Sequence, residues 1–282
     1  MPAEEYHAID ACSSSRLKLL KRSPAHCKHS IDFPNGNKSP ALVTGSAVHC
    51  AVLEPDCFDS RYIIKPKFSG KGSTAMRREW EDAHGSDRDD WIAAHEGALI
   101  LTEDEAADVR GMAASVAAHP VLGPAFSSFT GCSEVSALWT CPDTGVECKS
   151  RFDWLDGPVI IDLKKTNDAS PEAFARSVAT YRYHVQDAFY SQAAASVGLD
   201  ISDFLFGTVE DKPPYAVAVY RLNDFARQIG RSLYLSDLRR LQECREQNNW
   251  PAYPVEITEL SLPRWATYGF EDMDDMEIGY VD

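Results

Sequence analysis

The sequence predicts a mixed α/β (α+β) domain in which one central sheet is flanked by helices. Three observations support this fold class: a β-hairpin near the middle of the chain, strand-like alternation before and after it, and helical spacing of apolar residues between the strands. The chain has 282 residues, 44% of them hydrophobic, which is enough for the core of one large domain. We therefore expect residues 1–282 to form a single domain.

The central hairpin lies at 146–165. Two runs of alternating apolar residues are separated by Asp156-Gly157-Pro158, and a glycine beside Asp or Pro between such runs is a strong turn signal. The sequence therefore predicts two antiparallel strands, at about 146–155 and 159–165. The loop between them has either two or three residues, and its length decides which side chains meet.

Three charged residues of the hairpin converge if the loop has two residues. Asp162 and Lys164 share a face because side chains alternate along a strand, and Asp153 then lies opposite Asp162 or diagonal to it. With a three-residue loop the carboxylates would lie back to back. Two neighbouring carboxylates disfavour each other's ionisation unless a cation holds them, and hard oxygen ligands suit Mg²⁺ or Mn²⁺. The alternative is a surface hairpin with ordinary ion pairs.

Three helical segments precede the hairpin. Residues 12–30 open with serines that can cap a helix, and Ser23-Pro24 interrupts it. A short helix of small residues begins near Gly45 and ends before Pro55. The stretch from Thr102 to Glu105 reads as a capping box, so a further helix begins there, which we interpret as scaffold.

The elements around and after the hairpin complete the predicted sheet. A strand at 134–139 leads into the hairpin, and a helical region opens at Ser170-Pro171-Glu172. Two more strands are predicted near 203–210 and 215–221. A long helix then runs to about residue 247.

The net charge of −15 does not exclude a nucleic-acid ligand, because the negative charge is unevenly distributed along the chain. Residues 81–108 carry ten acids against one arginine, and the tail at 271–282 carries six acids and no base, so the rest of the chain is neutral overall. Residues 16–38 are basic, which predicts a positive surface beside acidic outer faces. Residues 65–91, rich in Lys, Arg and Gly, are predicted to form a surface loop and a short helix, solvated or in contact with DNA.

The cysteine pattern and the hydropathy limit the classes of protein to which the chain can belong. The eight cysteines include no Cys-x-x-Cys pair, so neither a zinc knuckle nor a disulfide scaffold is predicted. No apolar run approaches the roughly 18 residues that a membrane helix needs, and the first residues are acidic where a signal peptide would be basic. We expect a cytoplasmic protein without a membrane partner.

Asp153, a turn and then Asp162-Leu163-Lys164 resemble the core motif of the PD-(D/E)xK nuclease superfamily, which implies a restriction-endonuclease-like core. Further segments are similar to the RecE-type and phage alkaline (lambda-exonuclease-like) exonucleases of that superfamily. These are Ser13-x-Ser15 with Ser23-Pro24-Ala25-His26, Gly45-x-x-x-His49 with Leu53-Glu54-Pro55, Glu134, Gln186-x-x-x-Tyr190, Asn248–Tyr253 and Leu262–Ala266. The resemblance covers a core at about 6–266 and leaves out the acidic tail. One departure is Asp162, where many relatives have Glu; its shorter reach could alter metal preference.

The resemblance implies roles for individual residues. The catalytic set is Asp153, Asp162, Lys164, Glu134, Gln186 and Tyr190. The metal ligands are His49, Asp153, Asp162 and the Leu163 carbonyl. Candidates for binding DNA or its 5′ phosphate are Ser13, Ser15, Arg16, Arg22 and Arg151. The cofactor is Mg²⁺, for which Mn²⁺ can substitute, with two ions per site and Glu134 helping to hold the second through water.

Lys164 would orient or deprotonate the attacking water, with Gln186 fixing the lysine and Tyr190 near the phosphate. Each supporting residue also has a plainer interpretation. A single helical histidine such as His49 is more often a core residue than a ligand, and an aromatic stripe such as Tyr183 and Tyr190 is ordinarily core.

The implied function is a metal-dependent 5′–3′ exonuclease, an exodeoxyribonuclease that degrades linear double-stranded DNA to mononucleotides in phage-type homologous recombination. The implied assembly is a homotrimeric ring on double-stranded DNA ends, or a tetramer, with a single-strand annealing protein as a partner. Two alternatives stay open. One is another PD-(D/E)xK nuclease, specific for single strands or for DNA structure, and the other is a DNA-binding module with a vestigial site.

Overall fold

The computed structural model describes residues 1–33, 40–65, 89–95 and 98–263. Its helices are α1 (Ala3–Ala8), α2 (Ser14–Arg22), α3 (Pro24–Asp32), α4 (Pro40–Leu53), α5 (Phe58–Arg61), α6 (Glu103–Ala118), α7 (Leu122–Phe126), α8 (Pro171–Tyr181), α9 (Tyr183–Ser196) and α10 (Asp224–Gln247), with a 3₁₀ turn at Pro55–Cys57. Residues 89–94 are also helical.

The strands form a small sheet and a large one. The small sheet pairs β1 (Tyr62–Lys65) with β2 (Leu99–Thr102) in parallel. The strands of the large sheet are β3 (Cys132–Thr140), β4 (Glu147–Asp156), β5 (Val159–Thr166), β6 (Asp203–Glu210) and β7 (Val217–Tyr220), which lie side by side in that order. Within the described strands of the large sheet, β5 and β6 are the parallel pair, and α8 and α9 connect them. The sheet is therefore mixed, as predicted.

The hairpin at the centre of the large sheet has the two-residue loop. Asp156 pairs with Val159, which leaves Gly157 and Pro158 as the turn, and Gly157 has a φ of 53° that glycine adopts without strain. The predicted antiparallel pair of strands is confirmed. The register is the one that brings the charged residues of the two strands together.

Helices cover both faces of the large sheet. Neighbouring residues of β5 point to opposite faces, and Ile160 and Ile161 belong to two different hydrophobic clusters. The first cluster packs β3–β6 against α2, α3, α8, α9 and α10. The second packs the sheet against α4, α6, α7 and the small sheet. The sheet is thus held between two cores, and α4 and α9 approach it from opposite sides.

Most predicted elements are confirmed with small changes in length. Ser13 and Ser23 cap α2 and α3, so the helix predicted at 12–30 is two helices joined at Ser23. Thr102 and Glu105 form the predicted capping box of α6. The inward face of α10 is carried by Tyr234, Leu238, Leu241 and other buried residues, whereas the apolar residues Ile229 and Leu233 are 40% and 37% exposed.

All eight cysteines are free, and six of them are buried, as expected for thiols outside a disulfide scaffold. Among the residues that the structure describes, none of the helices combines the length and the hydropathy needed to cross a membrane. Most of the basic segment at 65–91, part of Leu262–Ala266 and the whole acidic tail lie outside the described residues.

Candidate active site

The residues of the candidate site come from elements on both faces of the sheet. Asp153 lies near the end of β4, and Asp162 and Lys164 lie in β5. From one side α4 contributes His49, and from the other α9 contributes Gln186. The polar side chains form two groups, which meet at the β4–β5 pair.

The first group contains His49, Glu134 and Asp153. One potential ligand atom from each of the three lies within 4.8 Å of the others. The Nδ1 atom of His49 lies 3.5 Å from Oδ2 of Asp153. The same Oδ2 accepts a hydrogen bond of 2.8 Å from the backbone N–H of Leu163. This hydrogen bond ties the Asp153 carboxylate to the backbone between Asp162 and Lys164.

Glu134 reaches the first group because it interrupts the β3–β4 ladder. Ser133 and Val135 pair with Trp154 and Phe152, while Glu134 between them has a φ of 54°. Positive φ is costly for a residue with a side chain and recurs at functional sites. The predicted strand is correct here, but the sequence pattern gave no sign of this local break.

The second group contains Asp162, Lys164 and Gln186. Asp162 is 1% exposed, its Oδ1 accepts a hydrogen bond of 2.6 Å from the Gln186 amide, and its Oδ2 contacts the Lys164 amine. Gln186 was expected to fix the lysine, and in the structure it binds the carboxylate that the lysine contacts. Asp162 therefore has polar partners on both oxygens and lies outside the three-residue cluster.

Burial and charge shift the pKa values of the site in opposite directions. Burial, together with Asp162, raises the pKa of the Asp153 carboxyl to about 6 although His49 opposes the shift. Burial alone would lower the pKa of Lys164, but the Asp162 and Asp153 carboxylates outweigh it, so the pKa is raised. Without a further ligand, Lys164 is thus an ammonium at neutral pH.

The first group fits a divalent cation by its donor set. An imidazole nitrogen and two carboxylates converge within one coordination sphere, and carboxylate and imidazole donors are common ligands of divalent metals. Burial disfavours the charged form of Asp153, and a divalent cation beside this carboxylate would offset that cost. The residues present therefore fit the predicted cofactor.

The two tyrosines of α9, Tyr183 and Tyr190, lie beside the second group. Tyr190 is 8% exposed, and its ring packs 5.5 Å from that of Phe152. Burial, with contributions from Asp162 and Asp153, raises the pKa of its hydroxyl. Tyr190 is therefore both a core residue and a neighbour of the two acids. Tyr183 receives the Lys164 ammonium 4.9 Å from its ring centroid.

All three predicted phosphate-binding arginines have a polar contact in the structure. Arg151 contacts the Glu134 carboxylate through Nε and donates to the Met1 carbonyl at 3.1 Å. Its described contacts hold Glu134 in place. Arg22 is exposed and donates from Nε to the Tyr253 hydroxyl at 3.5 Å, and its other donors have no partner within the part of the chain that the structure describes.

The remaining predicted phosphate-binding residues lie at the start of α2. Ser13 accepts from the Arg16 backbone N–H at 3.4 Å, and its hydroxyl lies 2.8 Å from that of Ser15. The Arg16 side chain forms an ion pair of 2.7 Å with Asp10 and donates to the Ala11 carbonyl. These contacts stabilise the turn into α2. Their role in DNA binding stays a prediction.

One cation near the site was missing from the predicted set. Lys18 of α2 lies 5.2 Å from the ring centroid of Tyr183, the same ring that Lys164 contacts. The sequence signal was only its place in the basic segment at 16–38. Nothing in the local pattern distinguishes Lys18 from the other lysines there.

Sequence comparison identifies the family. Residues 13–260 match the family described as a PDDEXK-like domain of unknown function (DUF3799). The chain belongs to this family. The matched region of this PDDEXK-like domain contains both groups of the site as well as α2. No curated protein is similar enough to the chain to be matched.

A solved structure shares the fold of this PDDEXK-like domain. A structure from Eubacterium rectale, provisionally described as an exonuclease, is 13% identical with a TM-score of 0.62, over 95% of this chain and 98% of its own. The protein SSO0001 is 11% identical over 74% of this chain and 97% of its own, with a TM-score of 0.31, too low to support an argument. The predicted fold class is confirmed. The resemblance is confirmed for the PD-(D/E)xK superfamily, and the RecE-type assignment stays a prediction.

Proposed function

We propose that this PDDEXK-like domain is a metal-dependent nuclease that hydrolyses phosphodiester bonds of DNA. The supporting observation is the carboxylate of Asp153, which lies beside the His49 imidazole and is hydrogen-bonded to the backbone between Asp162 and Lys164. A candidate cation-binding group and a half-buried ammonium are thereby fixed next to each other. This arrangement suits the hydrolysis of an anionic ester.

In the proposed mechanism His49, Glu134 and Asp153 hold the cation, with Asp162 and the Leu163 carbonyl as further ligands from the sequence resemblance. When bound, a divalent cation stabilises the charge that builds up on the phosphate oxygens. A water molecule attacks the phosphorus, the bond between phosphorus and the leaving oxygen breaks, and that oxygen takes up a proton.

Lys164, which belongs to the second group, supports this reaction from a position near Asp153. Its ammonium, held by Asp162, orients the attacking water and screens the phosphate charge. Gln186 keeps Asp162 in place, and the buried Tyr190 closes the site beside both acids. A role as general base requires a neutral amine, and the raised pKa of Lys164 moves that state to higher pH. We therefore expect activity to increase above neutral pH; a pH–rate profile with its maximum below pH 7 contradicts the general-base role.

At a finer level we propose a 5′–3′ exonuclease on linear double-stranded DNA that releases mononucleotides and acts in homologous recombination. The proposal includes a ring-shaped homotrimer, or a tetramer, and a single-strand annealing protein as partner. The support is the order and spacing of the motifs that resemble RecE-type and phage alkaline exonucleases. Light scattering that shows a monomer argues against either ring.

A single assay tests both levels of the proposal. Linear duplex DNA labelled at either the 5′ or the 3′ end is incubated with Mg²⁺, with Mn²⁺ or with a chelator. We expect early release of the 5′ label as a mononucleotide, retention of the 3′ label until late, and no cleavage with chelator. If the protein cleaves single-stranded or nicked DNA and shows no preference for ends, the result favours another nuclease of this fold. If the DNA stays intact under all conditions and calorimetry shows no Mn²⁺ binding, the result favours a DNA-binding module with a vestigial site.

A further inference from the structure

Two lysines from different elements share one aromatic ring at the edge of the candidate site. Lys18 of α2 and Lys164 of β5 place their amines 5.2 and 4.9 Å from the ring centroid of Tyr183. Because both distances refer to one centroid, the two amines lie no more than about 10 Å apart. Like charges so close in a partly buried setting repel each other.

The two lysines differ in how their charge is balanced. Lys164 contacts the Asp162 carboxylate, whose other oxygen is bonded to Gln186. Among the described residues Lys18 has no ion pair, and its amine contacts the ring of Tyr183. Burial, followed by the charge of Lys164, lowers the pKa of Lys18 to about 8, although Asp162 opposes the shift. An anion that contacts both amines would remove this cost.

We propose that Lys18 is a phosphate-binding residue, which holds a phosphate oxygen of the substrate strand beside Lys164. The inference rests on the proposed nuclease function and adds a positioning residue to it. DNA suits the geometry because each strand carries one negative charge per about 3.4 Å of helix axis, so two cations within about 10 Å meet the same or neighbouring phosphates. Lys18 contacts the strand, while Lys164 remains at the reacting group.

The test compares two lysines of the same helix. Lys18→Met keeps the length of the side chain and removes its charge, and Lys21→Met is the matched control because Lys21 is exposed on α2. Lys18→Arg tests rescue by charge. Binding of a labelled duplex is measured by fluorescence anisotropy with chelator over a series of KCl concentrations, and cleavage of the same duplex is measured with Mg²⁺.

We expect Lys18→Met to weaken binding about tenfold, the loss typical of one hydrogen bond to a charged group, and to reduce the salt slope of log K by about 1. The loss in kcat/KM should lie mainly in KM, the melting temperature should stay that of the wild type, and Lys18→Arg should recover most of the affinity. Lys21→Met should bind like the wild type.

Equal losses in Lys18→Met and Lys21→Met overturn the inference, because a general charge effect then explains both. So does Lys18→Met with wild-type affinity and salt slope. If the wild type does not cleave DNA, the proposed function fails, and the binding measurements with chelator still decide the role of Lys18. If Lys18→Met lowers the melting temperature, recovery of affinity by Lys18→Arg is the deciding result, and no recovery overturns the inference.

Discussion

The two halves of the candidate site differ in how their charges are balanced. On the α4 side, His49, Glu134 and Asp153 present a cluster with two carboxylates and one imidazole. On the α9 side, Asp162 already contacts Lys164 and accepts a hydrogen bond from Gln186. In the first half the Arg151 guanidinium contacts Glu134, and the Asp153 carboxylate faces the His49 imidazole. The first half therefore offers the Asp153 carboxylate to an added cation, while the Asp162 carboxylate of the second half already contacts an ammonium.

This difference indicates a division of labour between two acids on neighbouring strands. Asp153 is bonded to a backbone N–H, and its raised pKa shows that its ionised form is poorly supported by the protein alone. Asp162 contacts the Lys164 amine. We infer that the first acid is mainly a ligand of the cofactor, and that the second, a further ligand by the sequence resemblance, mainly orients the lysine. The predictions below test that division.

The largest effect should follow loss of the acid in the first half. Asp153→Asn keeps the shape of the side chain and removes a charge that we assign to the cation site. We expect cleavage to fall by at least about 10²–10³-fold, the range for loss of one electrostatic stabiliser, and Mn²⁺ binding by calorimetry to be lost. Asp156→Asn is the control, because Asp156 lies in the same strand and bonds to Thr130. Equal activity in the two variants would contradict the assignment of Asp153 to the cation site.

Loss of the lysine of the second half should also reduce cleavage strongly, but without loss of metal binding. Lys164→Met should lower kcat by about 10²–10⁴-fold, the range for a proton-transfer group, while Mn²⁺ and DNA binding persist. Lys165→Met is the neighbouring control, since Lys165 forms an ion pair with Asp211. Unchanged turnover in Lys164→Met refutes the assigned role, and loss of Mn²⁺ binding would show that the two halves are not separate.

A smaller effect should follow from Gln186, which acts through Asp162. Gln186→Leu removes the hydrogen bond of 2.6 Å to the carboxylate. Loss of such a supporting partner typically lowers activity about 10–100-fold. Gln192→Leu, on the same helix and partly exposed, should cleave like the wild type. A Gln186→Leu variant with full kcat would show that Lys164 alone keeps Asp162 in place.

The smallest effect on activity is expected at Asp187, a buried acid next in sequence to Gln186. Burial raises its pKa to about 6 although Arg227 opposes the shift. A carboxyl whose folded pKa exceeds its unfolded value stabilises the fold below the unfolded pKa, and this contribution is lost as the pH rises through 6. Relative to the wild type, Asp187→Asn should therefore gain about 1–3 kcal/mol of unfolding free energy between pH 4 and pH 7.

Urea denaturation of both proteins at a series of pH values measures this difference. Activity per folded molecule should change little, because Asp187 bonds to Ser191 and Arg227 away from the two groups of the site. A stability difference that is independent of pH contradicts the assigned pKa.

Local signals in the chain determined most of the secondary structure. The turn at Gly157-Pro158, the capping box at Thr102 and the capping serines each act over a few residues, so a sequence pattern is sufficient to read them. Alternation along the second strand also placed Asp162 and Lys164 on one face, whereas the place of Asp153 depended on a loop of two or three residues, which the sequence left open. These predictions needed no information about distant parts of the chain.

Only the tertiary structure decided how the site residues divide into two groups. His49 and Glu134 join Asp153 because α4 and an irregular residue of β3 approach the same strand end, and Gln186 meets Asp162 because α9 packs on the opposite face. Lys18 joins through the shared ring of Tyr183. The physical reason is that charge balance depends on contacts between residues far apart in sequence, whereas caps and turns depend on adjacent ones.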